Sequence, residues 1–171
     1  QKEFKKELLS VSDINSSLAN IVALIKVSNP KAFIITTVSP VRHLKDGFVD
    51  NNLSKAHLIT AIHQVLSSES LLKTLFYFPS YEIMMDELRD YRFYKEDMIH
   101  PNNTAVSIIW EAFNKAWISS ETVPLQKAIL AIQSSLEHKP FNPNSEDHLL
   151  FIRNLEAKIS LIKKDVPHIK F

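Results

Sequence analysis

The chain reads as a mostly helical α/β protein with few parallel strands, and three observations carry that expectation. Glycine is nearly absent: Gly47 stands alone among 171 residues, where average usage of about 7% would give roughly 12. The run Ala32-Phe-Ile-Ile-Thr-Thr-Val38 is β-branched and almost continuously apolar, which fits a strand buried on both faces, as in a parallel sheet. On either side of it, apolar residues recur at helical spacing. A nucleophile turn or an oxyanion loop in an α/β enzyme needs positive φ and close backbone approach, hence glycine. A single glycine therefore points to a largely helical protein, or to an α/β protein whose glycine-rich half lies elsewhere.

Taken in order, Ser10-Val-Ser-Asp13 predicts a helix start. Ile14, Leu18, Ile21, Val22 and Ile25 continue that helix until Asn29-Pro30 stops it. The buried strand 32–38 leads into Ser39-Pro40-Val41-Arg42-His43 at its C-terminal end, where open α/β sheets place their ligands. Lys45-Asp46-Gly47 is expected to be a loop. A second amphipathic helix is expected over 53–66, with Leu58, Ile62, Val65 and Leu66 on its apolar side. Leu75 to Tyr77 suits a short strand before Pro79. Residues 81–90 are expected to be helical or irregular, with Met84 and Met85 in the core, and 91–98 to be an aromatic and charged loop. Pro101 suits the first turn of a helix that carries Val106, Ile109, Trp110, Phe113 and Trp117, the two tryptophans sharing a core face. Residues 124–136 and 145–162 then form a helical hairpin, joined by His138-Lys-Pro-Phe-Asn-Pro143.

Composition narrows the function classes. Apolar residues make up 45% and charged residues 23%, ordinary for a globular domain. A chain of this length buries roughly 70% of its unfolded surface. The net charge of +1 gives no electrostatic reason to expect nucleic acid as a partner. No apolar run approaches the roughly 20 residues of a spanning helix. With no cysteine, thiol nucleophiles, disulfides and thiolate metal sites are excluded. The histidines do not show metal-ligand spacing: His57 and His63 are six apart rather than four. No metal or cofactor is expected, and cytoplasmic and envelope-associated locations both stay open.

Two segments carry candidate chemistry. Asp97 and His100, three apart beside a helix start, can meet side chain to side chain. Such an acid fixes the imidazole in one tautomer and leaves the other nitrogen to take a proton from a serine. The same spacing also occurs in a surface turn with a capping acid. At the exit of strand 32–38, Arg42 suits bidentate binding of a carboxylate or phosphate, with Ser39 and His43 beside it; a structural ion pair is the alternative role for Arg42. Tyr77-Phe-Pro-Ser-Tyr81-Glu82 either lines a substrate cleft through Tyr81 or forms a packed turn. Glu87, Arg89, Asp90 and Arg92 read as a solvated or locally paired surface.

Several of these segments stand together in a familiar order. Thr37-Val-Ser-Pro-Val-Arg-His43, Lys45-Asp-Gly47, Ser54-Lys55, Tyr77-Phe-Pro-Ser-Tyr-Glu-Ile83, Asp86-Glu-Leu-Arg-Asp-Tyr-Arg-Phe-Tyr94 and Asp97-Met-Ile-His-Pro101 resemble the GSCFA-domain proteins over roughly residues 10–118. His138-Lys-Pro-Phe and Asn144-Ser-Glu-Asp-His148 are similar to the tail of bacterial members. That family resembles the SGNH (GDSL-like) hydrolases. The resemblance implies a three-layer α/β/α fold and a serine nucleophile in a G-S-C-F-A motif. It also implies an oxyanion hole built from an asparagine and backbone amides, and an acid–base pair in a D-x-x-H block, here Asp97 and His100. The G-S-C-F-A motif and the asparagine block are not in this sequence, so residues 1–118 are expected to be the C-terminal part of such a domain, with 119–171 a helical extension packed on it.

The expected function is therefore part of a serine hydrolase, acting on a small-molecule or glycan ester or acetyl group through an acyl-serine intermediate. Partners implied are that substrate and either the missing N-terminal part or a second copy. The rival is a non-catalytic α/β interaction module with an idle site. A carbohydrate-binding variant of that module would need exposed aromatics clustered near Tyr77, Tyr81, Tyr91 and Tyr94.

Overall fold

The structure is a computed structural model, and it describes residues 6–67 and 73–171. The chain forms two compact units, Gln1–Phe113 and Asn114–Phe171. In chain order the first holds α1 (Val11–Ser28), β1 (Ile34–Thr36), α2 (Gly47–Leu66), β2 (Leu75–Tyr77) and α3 (Ser80–Glu82), and α4 (Asn103–Trp117) carries the chain into the second. The second unit contains α5 (Val123–Leu136) and α6 (Glu146–Asp165). Mostly helical, with one small parallel sheet, the protein matches the fold class expected from its sequence.

Helix α1 starts where the capping signal places it. Ser10 Oγ accepts from Asp13 N, and the Asp13 carboxylate accepts in return from Ser10 N, which satisfies two orphan donors of the first turn. Its apolar stripe meets α2 and the sheet through Leu18 and Val22. Val22, Val65 and Leu75 make one buried cluster, with Leu18, Ile34 and Leu66 against it. Helix α2 begins at Gly47 rather than near residue 53, and Lys45-Asp46 belong to a 3₁₀ turn, Leu44–Asp46, rather than an open loop. Gly47 itself has φ 84°. That left-handed value is why glycine is the residue that turns the 3₁₀ segment into α2.

Strands β1 and β2 pair in parallel, with Ile34 opposite Leu75, Ile35 opposite Phe76 and Thr36 opposite Tyr77. The expected strand over 32–38 is thus three residues long, and burial on both faces does not hold. Phe33 and Ile35 point to an exposed side, while Val38 is buried beyond the strand end. The physical reason is that α1 and α2 cover one face, and the facing side opens onto a groove bordered by α4.

After β2 the chain turns through α3 into a π turn, Ile83–Glu87, which brings Met84 and Leu88 into a second cluster with Tyr94 and Ala105. Met84 is fully buried as expected, whereas Met85 only borders the cluster. Pro101 does not open the next helix. It pairs with Tyr94 in an antiparallel bridge, and α4 begins at Asn103 because Asn102 Oδ1 caps Ala105 N at 3.0 Å. Trp110 is not in the core: 53% of it is exposed, since its face of α4 borders the groove opposite Ile35.

In the second unit, α5 and α6 carry the expected helical pair. Ile132, Leu155 and Ile162 are buried together, with Leu125, Ile129, Phe151 and Ile159 around them. Ser145 Oγ accepts from His148 N to start α6.

Candidate active site

The segment 95–100 is a closed loop with few free backbone groups. Lys95 N donates to His100 O at 2.8 Å, and Met98 N to Lys95 O at 2.9 Å. Met98 adopts φ 57°, an uncommon left-handed value for a non-glycine residue, and this reverses the chain just ahead of Ile99 and His100. Asp97 completes the loop from inside. One carboxylate oxygen accepts from Ile99 N (2.9 Å) and His100 N (3.0 Å), and the other meets His100 Nδ1 at 2.7 Å. The donation from the His100 backbone, with the ring contact and the Ile99 amide adding to it, holds the Asp97 carboxyl well below the usual carboxylate range.

A carboxylate can only accept, so in the neutral ring Nδ1 of His100 carries the proton and Nε2 is the acceptor. Nε2 has no partner among the described residues. The ring is 51% exposed and the carboxylate 43%, so the pair is reachable from solvent. His100 borders an open groove of about 640 Å³, a volume suited to a ligand rather than a single ion. Thr37, Pro40 and Val41 at the end of β1 line it, as do Phe78 and Ser80 after β2 and Val106, Trp110 and Phe113 of α4. Its walls are mostly apolar; Phe78 meets Phe113 edge-on at 5.1 Å, and Phe113 stacks on Trp110 at 5.7 Å.

The remaining sequence-derived candidates divide. Arg42 ties the strand-exit segment to the His100 loop: its backbone N–H donates to Ile99 O (3.2 Å) and its Nη1 to Met98 O (3.3 Å). Its guanidinium lies 4.1 Å from the Tyr94 ring centroid and 5.7 Å from that of Tyr91. No carboxylate pairs with it among the described residues, so a cation–π stack stands where an ion pair was the alternative expected. Arg42 and Tyr81 border a second, smaller cavity, and Pro40 lines both it and the His100 groove. Ser39 Oγ accepts from Val41 N at 3.2 Å, a local turn contact. His43 is exposed and uses its backbone N–H on Asn51 Oδ1 (2.8 Å). Tyr77 donates to both oxygens of Glu82 (2.7 and 2.9 Å), so that segment has the packed-turn character of one of its two readings. Arg92 and Asp90 pair locally at 3.3 Å.

Three buried polar side chains escaped the sequence reading: Asn51, Lys55 and Ser80. Lys55 Nζ donates to Ser39 O at 2.5 Å and sits 6.0 Å from the Tyr81 ring centroid. Burial pulls its pKa down, and burial also pushes the Tyr81 hydroxyl up. Ser80 Oγ donates to Val38 O (2.9 Å), which leaves Thr37 Oγ1 as donor to Ser80 Oγ at 2.7 Å. The one available signal for Lys55 was a charged residue on the inward side of an amphipathic helix, one turn before Ile59 and two before Ile62. No hydroxyl is hydrogen-bonded to His100 among the described residues.

The GSCFA family model matches residues 1–113, which includes every residue of this site. The chain belongs to the GSCFA family. A second model, the C-terminal domain of GSCFA domain proteins, matches residues 129–171, the α5–α6 segment. No curated relative and no solved structure matches. Within this GSCFA protein, no described helix is long and apolar enough to cross a membrane.

Proposed function

We propose that this GSCFA chain supplies the acid–base half of an SGNH-like serine ester hydrolase, with Asp97 as orienting acid and His100 as general base. The observation that carries the reading is the 2.7 Å Asp97–His100 contact, with Nε2 left free on the wall of an apolar groove. In the reaction, Nε2 takes the proton of a serine hydroxyl as it attacks the ester carbonyl, and Asp97 stabilises the imidazolium that forms. The imidazolium then returns its proton to the leaving alcohol, and water repeats the cycle on the acyl-serine. In this reading the serine comes from a G-S-C-F-A block and the oxyanion donors from an asparagine block and backbone amides, and neither block is among these 171 residues; Ser80 and Thr37 are committed to each other and to Val38. The apolar wall suits the acyl group of the ester.

Two assays test this. The 171-residue chain alone should not turn over p-nitrophenyl acetate above the buffer rate. The longest polypeptide that its gene encodes should turn it over, and His100→Ala should lower kcat by roughly 10³-fold or more. Activity in the chain alone would contradict the missing-serine part; activity indifferent to His100→Ala would end the hydrolase reading. The idle-module alternative then takes its place. Its carbohydrate-binding form lacks support, because of the four tyrosines it needs only Tyr91 is exposed.

A further inference from the structure

We propose that the small cavity between the β1-exit segment and α2 is an anion-binding subsite, where Lys55 and Arg42 take up a small oxyanion, carboxylate or phosphate, carried by a ligand. Lysine is almost never fully buried unless paired, yet Lys55 is only 3% exposed. Its partners are one carbonyl, Ser39 O, and the face of Tyr81; no carboxylate reaches it among the described residues. Two of its three N–H bonds are therefore unassigned. The same cavity is bordered by Arg42, whose guanidinium also has no carboxylate partner among the described residues and lies 4.1 Å from the Tyr94 ring centroid. Of the five guanidinium N–H donors one is used on Met98 O, which leaves others for a planar or tetrahedral oxyanion.

Neither nearby acid forms an ion pair with Lys55 or Arg42 among the described residues: Glu82 accepts from the Tyr77 hydroxyl, and Asp86 pairs with neither cation. Asn51, Asn52 and Tyr81 also line the cavity, and each carries a hydrogen-bonding side chain; Asn51 Oδ1 is engaged by His43 N. A volume of about 190 Å³ is smaller than the pocket of a drug-sized ligand and suits one charged group. Burial already disfavours the charged form of Lys55, and a bound anion would offset that cost. The inference does not depend on the hydrolase reading: it needs neither His100 nor a serine. If both hold, the ester substrate carries an acidic group that reaches past Pro40, which lines both cavities.

The test uses the 171-residue chain, titrated with inorganic phosphate and separately with acetate, with sodium chloride at matched ionic strength as control. The backbone amide signals of Arg42 and Asn51 and the Lys55 side-chain nitrogen should shift saturably with one or both oxyanions and not with chloride. Response to phosphate alone marks a phosphate ester as the ligand group; response to acetate alone marks a carboxylate. Lys55→Met and Arg42→Gln should each weaken binding by about tenfold or more, the scale of one charge-assisted hydrogen bond. If Lys55→Met does not fold, Arg42→Gln and the wild-type Lys55 signal still decide. No saturable shift with either anion, or equal affinity in the variants, overturns the proposal.

Discussion

Asp97 is the residue on which the site's pH behaviour depends. It is exposed, yet three donors converge on its carboxylate, and the His100 backbone amide heads the causes of its lowered pKa. A carboxyl group whose folded pKa lies below its unfolded value of 3.8 stabilises the fold above that pH, and the contribution is lost as pH falls through the folded value. The melting temperature of Asp97→Asn should therefore fall furthest below wild type near neutral pH. The gap should narrow on acidification below about pH 4. A gap that stays constant or widens in acid would mean that the Asp97 carboxylate does not hold the loop. Arg42 acts on the same loop from the other side. Its two hydrogen bonds to the carbonyls of Met98 and Ile99 make it a positioning residue for His100 as well as a candidate anion ligand.

At the scale of elements, α1 shows how a few local contacts set a boundary. Ser10 and Asp13 exchange hydrogen bonds at its first turn, and the stripe behind them buries Val22 against Val65 and Leu75. Ser10→Ala removes the cap acceptor and should cost about 1 kcal/mol. For a domain of this size that lowers the melting temperature by roughly 2–4 °C. A melt indistinguishable from wild type would show that the cap is not coupled to the packed helix. The π turn at Ile83–Glu87 works differently. Its wider turn directs Met84 and Leu88 to one cluster with Tyr94 and Ala105, and that packing sets the base of the 95–100 loop.

For the whole molecule, the informative quantity is apolar surface left without cover. Phe33 and Ile35 on the sheet, and Val106 and Trp110 on α4, are all exposed in the first unit, and Ile35, Val106 and Trp110 share one groove. The two-stranded sheet leaves each strand with one unpaired edge among the described residues. Unpaired edges and contiguous apolar patches invite association. Light scattering on the pure chain should give a mass that rises with concentration, and Ile35→Glu should shift it toward the monomer. A monomeric mass at every concentration would mean that this surface is tolerated in water as it stands.

The helical segments, the two short strands and the Asp97–His100 contact were legible in the sequence, because each is a local matter. Helical periodicity, the Ser10 cap and the apolar runs at 34–36 and 75–77 are written within a few residues of where they act. The Asp97–His100 contact spans three positions, so spacing alone put both side chains within reach. What is covered, and what meets at long sequence separation, is set by packing between elements. The strand run looked buried on both faces because apolarity records a preference for burial, while the element that satisfies it is a matter of packing. Trp110 looked like core for the same reason. For Lys55 the sequence offered no reading of burial. That it lies beneath Ser39, sixteen residues earlier, facing Tyr81 beside Arg42, follows from how α2 packs against the strand exit, which no residue pattern within α2 encodes.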